Sequence, residues 1–193
     1  MKFQFDPNLD YQIGAIDSVC DVFEGHRNTY KNVNILLGNG IIPNTLSMSK
    51  EDILENTQDV QQGNGINDLS YSLGSMNFSI EMETGTGKTY VYLRTILELR
   101  KKYGWQKFIV VVPSVAIREG VIKTLEQTEQ HFDKLYEDIS YNYFEYDSDE
   151  LQQVRHFARN NEIEIMVITL QSFNKGEDNI MFQQQDTLQG NRP

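Results

Sequence analysis

Apolar residues recur along this chain with two different periods, and each change of period marks a boundary between elements. Ile13, Ile16, Val19, Cys20 and Phe23 fall at helical spacing, so a helix is predicted over 10–24, with Asp10 offered as its cap and Gly25 as its stop. The pattern loosens from 28 to 76, where Gly38-Asn39-Gly40, Pro43 and Gly63-Asn64-Gly65 mark turns around a short acidic helix expected over 50–62. At Asn77 the period drops to two: Phe78, Ile80 and Met82 alternate with Ser79 and Glu81, which predicts a strand. Helical spacing returns over 89–99, and Lys101, Lys102 and Gly104 suit a helix end by charge and by backbone freedom.

Phe108-Ile109-Val110-Val111-Val112 is a continuous apolar run closed by Pro113, the pattern of a strand buried on both faces. Ser114 suits the cap of a helix running to about His131, and residues 141–146 read as an aromatic-rich strand. Asp147 and Glu150 stand at capping-box spacing before a helix that Asn160-Asn161 ends, and residues 163–168 form a last strand. Strands alternating with helices predict an α/β fold, a mostly parallel sheet with helices on both faces. Three regions are expected: an N-terminal segment 1–27, an insertion or loop-rich layer 28–76, and an α/β lobe 77–193.

Composition narrows the function classes. With 17 Lys and Arg against 28 Asp and Glu, the net charge of -11 disfavours diffuse attraction to nucleic acid or anionic lipid, so any such contact must be local. The N-terminus lacks the apolar stretch of a signal peptide, no run is long enough to span a membrane, and the lone Cys20 fits a reducing compartment. A cytoplasmic location is expected. His26, His131 and His156 stand apart, without metal-ligand spacing, and are read as surface or packed residues.

The chemistry concentrates after the strand at 77–82. Gly85-Thr86-Gly87-Lys88-Thr89 matches the end of the G-x-x-x-x-G-K-[ST] pattern, with Met82 in place of the first glycine, and it lies between a predicted strand and a predicted helix. Glycines let backbone N–H groups turn inward around an anion, and the helix N-terminus adds its dipole. Glu83, Thr84, Gly85, Thr86 and Gly87 are therefore the expected phosphate cradle. Lys88 would neutralise the outer phosphates and Thr89 would put its hydroxyl on Mg2+, which makes ATP with magnesium the expected ligand.

Residues 82–89, Met-Glu-Thr-Gly-Thr-Gly-Lys-Thr, resemble motif I of superfamily-two helicases, in which the first glycine is often replaced. The resemblance implies a RecA-like P-loop NTPase lobe. It also makes Gln12, in Leu9-Asp10-Tyr11-Gln12, the group that reads the adenine edge, with Phe3 or Phe5 as aromatics either stacked on the base or simply packed. Val111-Val112-Pro113-Ser114-Val115-Ala116-Ile117-Arg118 is similar to motif Ia, and Ile168-Thr169-Leu170-Gln171-Ser172-Phe173-Asn174-Lys175 to the Ib region. Both follow strands, so their loops are expected on one rim of the sheet with the phosphate loop, where Ser114, Arg118, Thr169 and Lys175 would contact a nucleic-acid backbone. Ser114 is equally well read as a plain helix cap, and Phe173 as a core aromatic.

The wording of these motifs, together with Gln-Val-Arg-His-Phe-Ala at 153–158, resembles the ATPase subunit of type III restriction-modification enzymes. In that family the subunit pairs with a DNA methyltransferase that recognises the site, uses ATP on DNA, and cuts through a separate nuclease domain. No Asp-Glu pair of the motif II kind follows the last strand; the expectation is a lobe that stops before motif II and binds nucleotide without turning it over. Two alternatives stand beside this reading: the same lobe from another DNA or RNA helicase, and a non-catalytic module that docks on a methyltransferase.

Overall fold

A computed structural model describes residues 5–27, 40–137 and 139–173. Backbone contacts divide these into two units, one holding the described residues through 27 together with 45–104, the other 40–44 together with those from 105 to 173.

The first unit is helical. Helix α1 spans Asp10–Asp21, α2 Lys50–Gly63 and α3 Lys88–Tyr103, and α1 packs against both others. Ile16 and Cys20 of α1, Ile53 of α2, and Leu93 and Leu97 of α3 are buried, each placed by helical spacing on the inward stripe. The Tyr103 hydroxyl donates to the Cys20 carbonyl at 2.8 Å, and Lys102 reaches Asp21 at 3.3 Å and Asp17 at 3.9 Å. Burial pushes the Cys20 thiol up to about 12, so it behaves as a small hydrophobe. Gly104, at φ +75°, takes the left-handed turn that stops α3, whereas α1 ends at Asp21, short of the expected 24, with Val22 as its C-cap; Gly25, at φ +86°, lies in the turn beyond.

Two sequence-based expectations fail in this unit. Asp10 does not cap α1: Leu9 occupies the N-cap position, without a side-chain bond, and Asp10 lies in the first turn, where its charge complements the helix dipole. The capping box belongs instead to α2, where the Ser49 hydroxyl accepts from the Asp52 N–H and the Asp52 carboxylate accepts from the Ser49 N–H. The strand expected over 77–82 is also absent. Its backbone is irregular, Phe78 and Ile80 are 39% and 43% exposed, and no strand among the described residues pairs with it. Alternation alone cannot make a strand, because the hydrogen-bond ladder needs a partner.

The second unit carries the sheet: β1 (Lys107–Val112), β2 (Tyr141–Glu145) and β3 (Ile163–Thr169), in the order β1-β3-β2 and parallel throughout. All seven residues of the central β3 are buried, which explains its near-continuous apolar sequence. Helices α4 (Val115–Leu135) and α5 (Leu151–Arg159) both pack on β3, and the strand–helix alternation is that of an α/β, RecA-like lobe. From α5, Val154 joins Tyr146, Met166 and Ile168 in one cluster. The buried Glu164 of β3 accepts from Asn142 Nδ2 at 3.0 Å and from Asn160 Nδ2, so its charge is met by hydrogen-bond donors.

Two further corrections belong to this unit. β1 is not buried on both faces: it is an edge strand, and Ile109 and Val111 are about half exposed, 52% and 50%. Asp147 and Glu150 do not form a capping box. Asp147 Oδ1 accepts from the Asp149 N–H in a local turn, and Glu150 holds the N-cap position of α5 with its carboxylate accepting from the Gln153 side chain rather than capping a backbone N–H.

Candidate nucleotide-binding site

The phosphate-loop motif occupies the junction before α3. Gly85 and Gly87 both have positive φ, +84° and +85°, a conformation that costs glycine nothing and strains any side chain. Gly87 is also the N-cap of α3, so Lys88 and Thr89 form its first turn and the helix N-terminus opens onto the loop. Thr86 Oγ1 donates to the Glu83 carbonyl at 2.7 Å, closing the loop on itself. Lys88 Nζ folds over the loop and donates to the carbonyls of Met82 at 2.6 Å and Glu83 at 3.0 Å. The residue that replaces the first glycine thus takes part through its backbone, which a methionine supplies as well as a glycine does.

Gln12 lies on the buried face of α1, and its Nε2 donates to the Thr86 carbonyl at 2.8 Å. Ahead of α1, Arg94 donates to the Pro7 carbonyl at 2.6 Å and the Phe5 ring stacks on Tyr90 with centroids 5.7 Å apart. Phe5 is therefore a packed aromatic, and Phe3 lies outside the described residues. Burial pushes the Tyr92 hydroxyl above its ordinary range, with Thr89 beside it drawing it slightly down. Tyr11, Ala15, Phe78, Ile80 and Met82 border an apolar groove in this unit that reaches the loop at Glu83 and Thr86.

In the sheet unit, Val112 and Thr169 are register partners at the ends of adjacent parallel strands, so the two loops carrying Ser114 and Thr169 leave the sheet side by side. Gln171 Nε2 donates to the Pro113 carbonyl at 3.0 Å and ties these loops together, a contact the sequence reading missed. Ser114 is the N-cap of α4, accepting from the Ile117 N–H at 3.4 Å. Thr169 is buried and its hydroxyl meets that of Ser172 at 3.2 Å. Arg118 is ion-paired to Glu145 at 2.9 Å and to Glu119 at 3.4 Å, partners 27 and one positions away in sequence that helix periodicity does not reveal. Lys175 lies outside the described residues, as does the side chain of Phe173.

Donor chemistry decides whether the expected ligands fit. The loop offers inward-turning glycine backbone, a helix N-terminus and one ammonium, all suited to a polyphosphate. Among the described residues no group of three His, Cys, Asp or Glu is placed to hold a metal, so a cation here would rely on Thr89 and on the phosphates themselves. His26 is packed: its Nδ1 accepts from the Ser47 N–H at 3.2 Å, and its ring meets Tyr103 edge-on.

A family model described as "Type III restriction enzyme, res subunit" matches residues 8–191, which includes Gln12, the glycine loop and both strand-end loops. The chain belongs to that family. Its relatives include the type III restriction-modification enzyme EcoPI Res subunit of Escherichia phage P1, 35% identical over 140 residues, and the EcoP15I Res subunit of Escherichia coli, 35% identical over 136 residues. These alignments cover 70% and 67% of this chain but 14% of each relative. The StyLTI Res subunit of Salmonella typhimurium is 52% identical over 63 residues, 32% of this chain and 6% of that protein. Membership makes the chain a helicase/ATPase-like motor domain. Among the described residues no helix is long and apolar enough to cross a membrane.

Proposed function

We propose that this chain binds ATP with Mg2+ in the loop 83–89, as the first motor lobe of a type III restriction enzyme. The carrying observation is the loop itself: two glycines at positive φ, an α3 N-terminus behind them, and the Lys88 ammonium folded over the loop's carbonyls. In this reading the backbone N–H groups of Glu83, Thr84, Gly85, Thr86 and Gly87 surround the phosphates. Lys88 exchanges its two carbonyl partners for phosphate oxygens, a trade of neutral acceptors for charged ones. Thr89 places its hydroxyl on the metal, and Gln12 faces the adenine edge.

The loops at Ser114 and Thr169 would hold a DNA backbone through the Ser114 hydroxyl, the N–H groups at the start of α4 and the Thr169 side, with Lys175 adding charge. Arg118 joins them only by loosening its hold on Glu145, so its contribution is smaller than its charge suggests. The net charge of -11 confines any such contact to this local patch. By analogy with the restriction-modification relatives, the whole protein would act on DNA in the cytoplasm together with a methyltransferase subunit. In domain terms, 1–27 would supply the adenine-reading glutamine, 28–76 a loop-rich layer, and 77–193 the motor lobe.

The test is equilibrium binding of a fluorescent ATP analogue with Mg2+ to the normal chain and to Lys88→Ala. Loss of one charge-assisted contact weakens binding by about ten-fold or more. Equal affinity for both chains would make the loop vestigial and favour a docking module for the methyltransferase.

A further inference from the structure

Residues 115–122, the first two turns of α4, hold one cation, Arg118, and that cation is already engaged. Its Nη2 meets Glu145 Oε2 at 2.9 Å and Glu119 Oε1 at 3.4 Å, and its side chain is 21% exposed. The two carboxylates differ in kind. Glu119 is the neighbour in sequence and the more distant in space, whereas Glu145 comes from another element: it ends β2, level with Val167 of β3 and two positions short of Thr169. Arg118 follows Ser114 by one helical turn, its N–H bonded to the Ser114 carbonyl at 3.0 Å. The ion pair therefore links the helix after β1 to the end of β2, on either side of the central strand that carries Thr169. An anion of the protein's own sits on the guanidinium beside the rim where the Ser114 and Thr169 loops leave the sheet.

This contact uses only part of the guanidinium. Arginine offers Nε–H and Nη–H as a fork that fits two oxygens of one carboxylate or one phosphate. Here both carboxylates fall on Nη2, and Nε is buried without a hydrogen-bond partner among the described residues. A buried N–H left unpaired costs free energy, so the arrangement is held less firmly than a two-pronged one. A phosphodiester has two free oxygens, enough to take Nε and Nη2 together once the side chain turns away from Glu145.

We propose that Glu145 is an autoinhibitory gate on the nucleic-acid face, a carboxylate that stands in for phosphate and keeps Arg118 withdrawn; this rests on the DNA reading above. A backbone held at the strand-end loops brings phosphate to Arg118 at high effective concentration, and that local excess displaces Glu145. The ion pair is partly open to solvent and correspondingly weak, which makes the exchange reversible.

The test is binding of a short fluorescein-labelled DNA duplex to the full chain at several salt concentrations. Glu145→Gln keeps the size and removes the charge. It is expected to tighten binding by about five-fold and to steepen the salt dependence by about one phosphate contact, because Arg118 is released to the backbone. Glu145→Ala, which offers Arg118 no acceptor at all, is expected to give at least the same gain. Adding Arg118→Gln to either variant is expected to remove the gain and the extra salt dependence. A gain that survives the loss of Arg118 would overturn the gate and leave Glu145 a plain repulsive charge. Weaker binding by both Glu145 variants would overturn it in the other direction, making Glu145 a brace that aims Arg118 at the backbone. Equal affinity and equal salt dependence in the normal chain and both variants would sink the gate while the DNA reading stands. If none of these chains bound the duplex, the DNA reading would fall first and take the gate with it.

Discussion

The two units hold their candidate residues in different ways. In the sheet unit, Ser114 and Thr169 sit at the ends of paired strands, one of them buried at every position, so their backbone is set by a hydrogen-bond ladder and an apolar core. In the helical unit, the phosphate loop has no strand ladder behind it among the described residues and is shaped by single polar contacts: Lys88 on Met82 and Glu83, Thr86 on Glu83, and Gln12 on Thr86. Burial gives rigidity whatever the exchange of partners. Polar contacts can be traded, which suits a loop that must exchange carbonyls for phosphates.

The largest test of that contrast is Ile165→Ala at the centre of β3. Removing a 1% exposed side chain there should cost about 3 kcal/mol by denaturant unfolding, through lost transfer energy and the cavity left behind. A cost under about 1 kcal/mol would mean that the core collapses around the gap and that burial is not what holds the sheet. In the helical unit the corresponding change is polar: Tyr103→Phe removes one of the two donors to the Cys20 carbonyl, leaving the Phe23 N–H, and should cost about 1 kcal/mol. Thermal unfolding unaltered by that change would show that packing alone joins α1 to α3.

Ser114 offers a sharper comparison, because capping and phosphate contact make opposite demands on one side chain. Ser114→Ala should lose about 1 kcal/mol of stability. Ser114→Asp keeps the cap, so it should retain stability while its charge repels a DNA backbone. A binding assay that finds DNA affinity unchanged by Ser114→Asp leaves the serine a cap and nothing more. The smallest effect concerns pH. Burial lowers the His26 pKa from its ordinary 6.5, so the unfolded chain takes up this proton before the folded chain does. Stability of the helical unit should therefore be full above pH 6.5 and fall as acidification passes below it, and His26→Gln should flatten that part of the profile.

Much of this was legible in the residues themselves. The helix end at Gly104, the Ser114 cap and the glycine loop are local features, decided by φ preference and by side chains within one turn, and each is found where sequence places it. The errors fall where backbone geometry overrides spacing or a distant partner decides. Asp147 and Glu150 have capping-box spacing, but backbone geometry at the start of α5 gives them a turn instead, while Ser49 and Asp52 take the true box before α2. Arg118 reads as a free cation until Glu145 of β2 is brought beside it.

By itself the sequence determined the family, the order of helices and strands in the sheet unit, and the loop whose glycines and lysine suit a polyphosphate, because each depends on short-range pattern. Only the tertiary structure decided which extended segments became strands. Residues 107–112 and 163–169 pair and are ordered as a sheet, whereas 77–82, the segment with the clearest alternation, pair with no strand among the described residues, and a strand exists only when another supplies its hydrogen bonds. The same long-range geometry put Gln12 on the Thr86 carbonyl, a contact that no spacing between residues 12 and 86 announces.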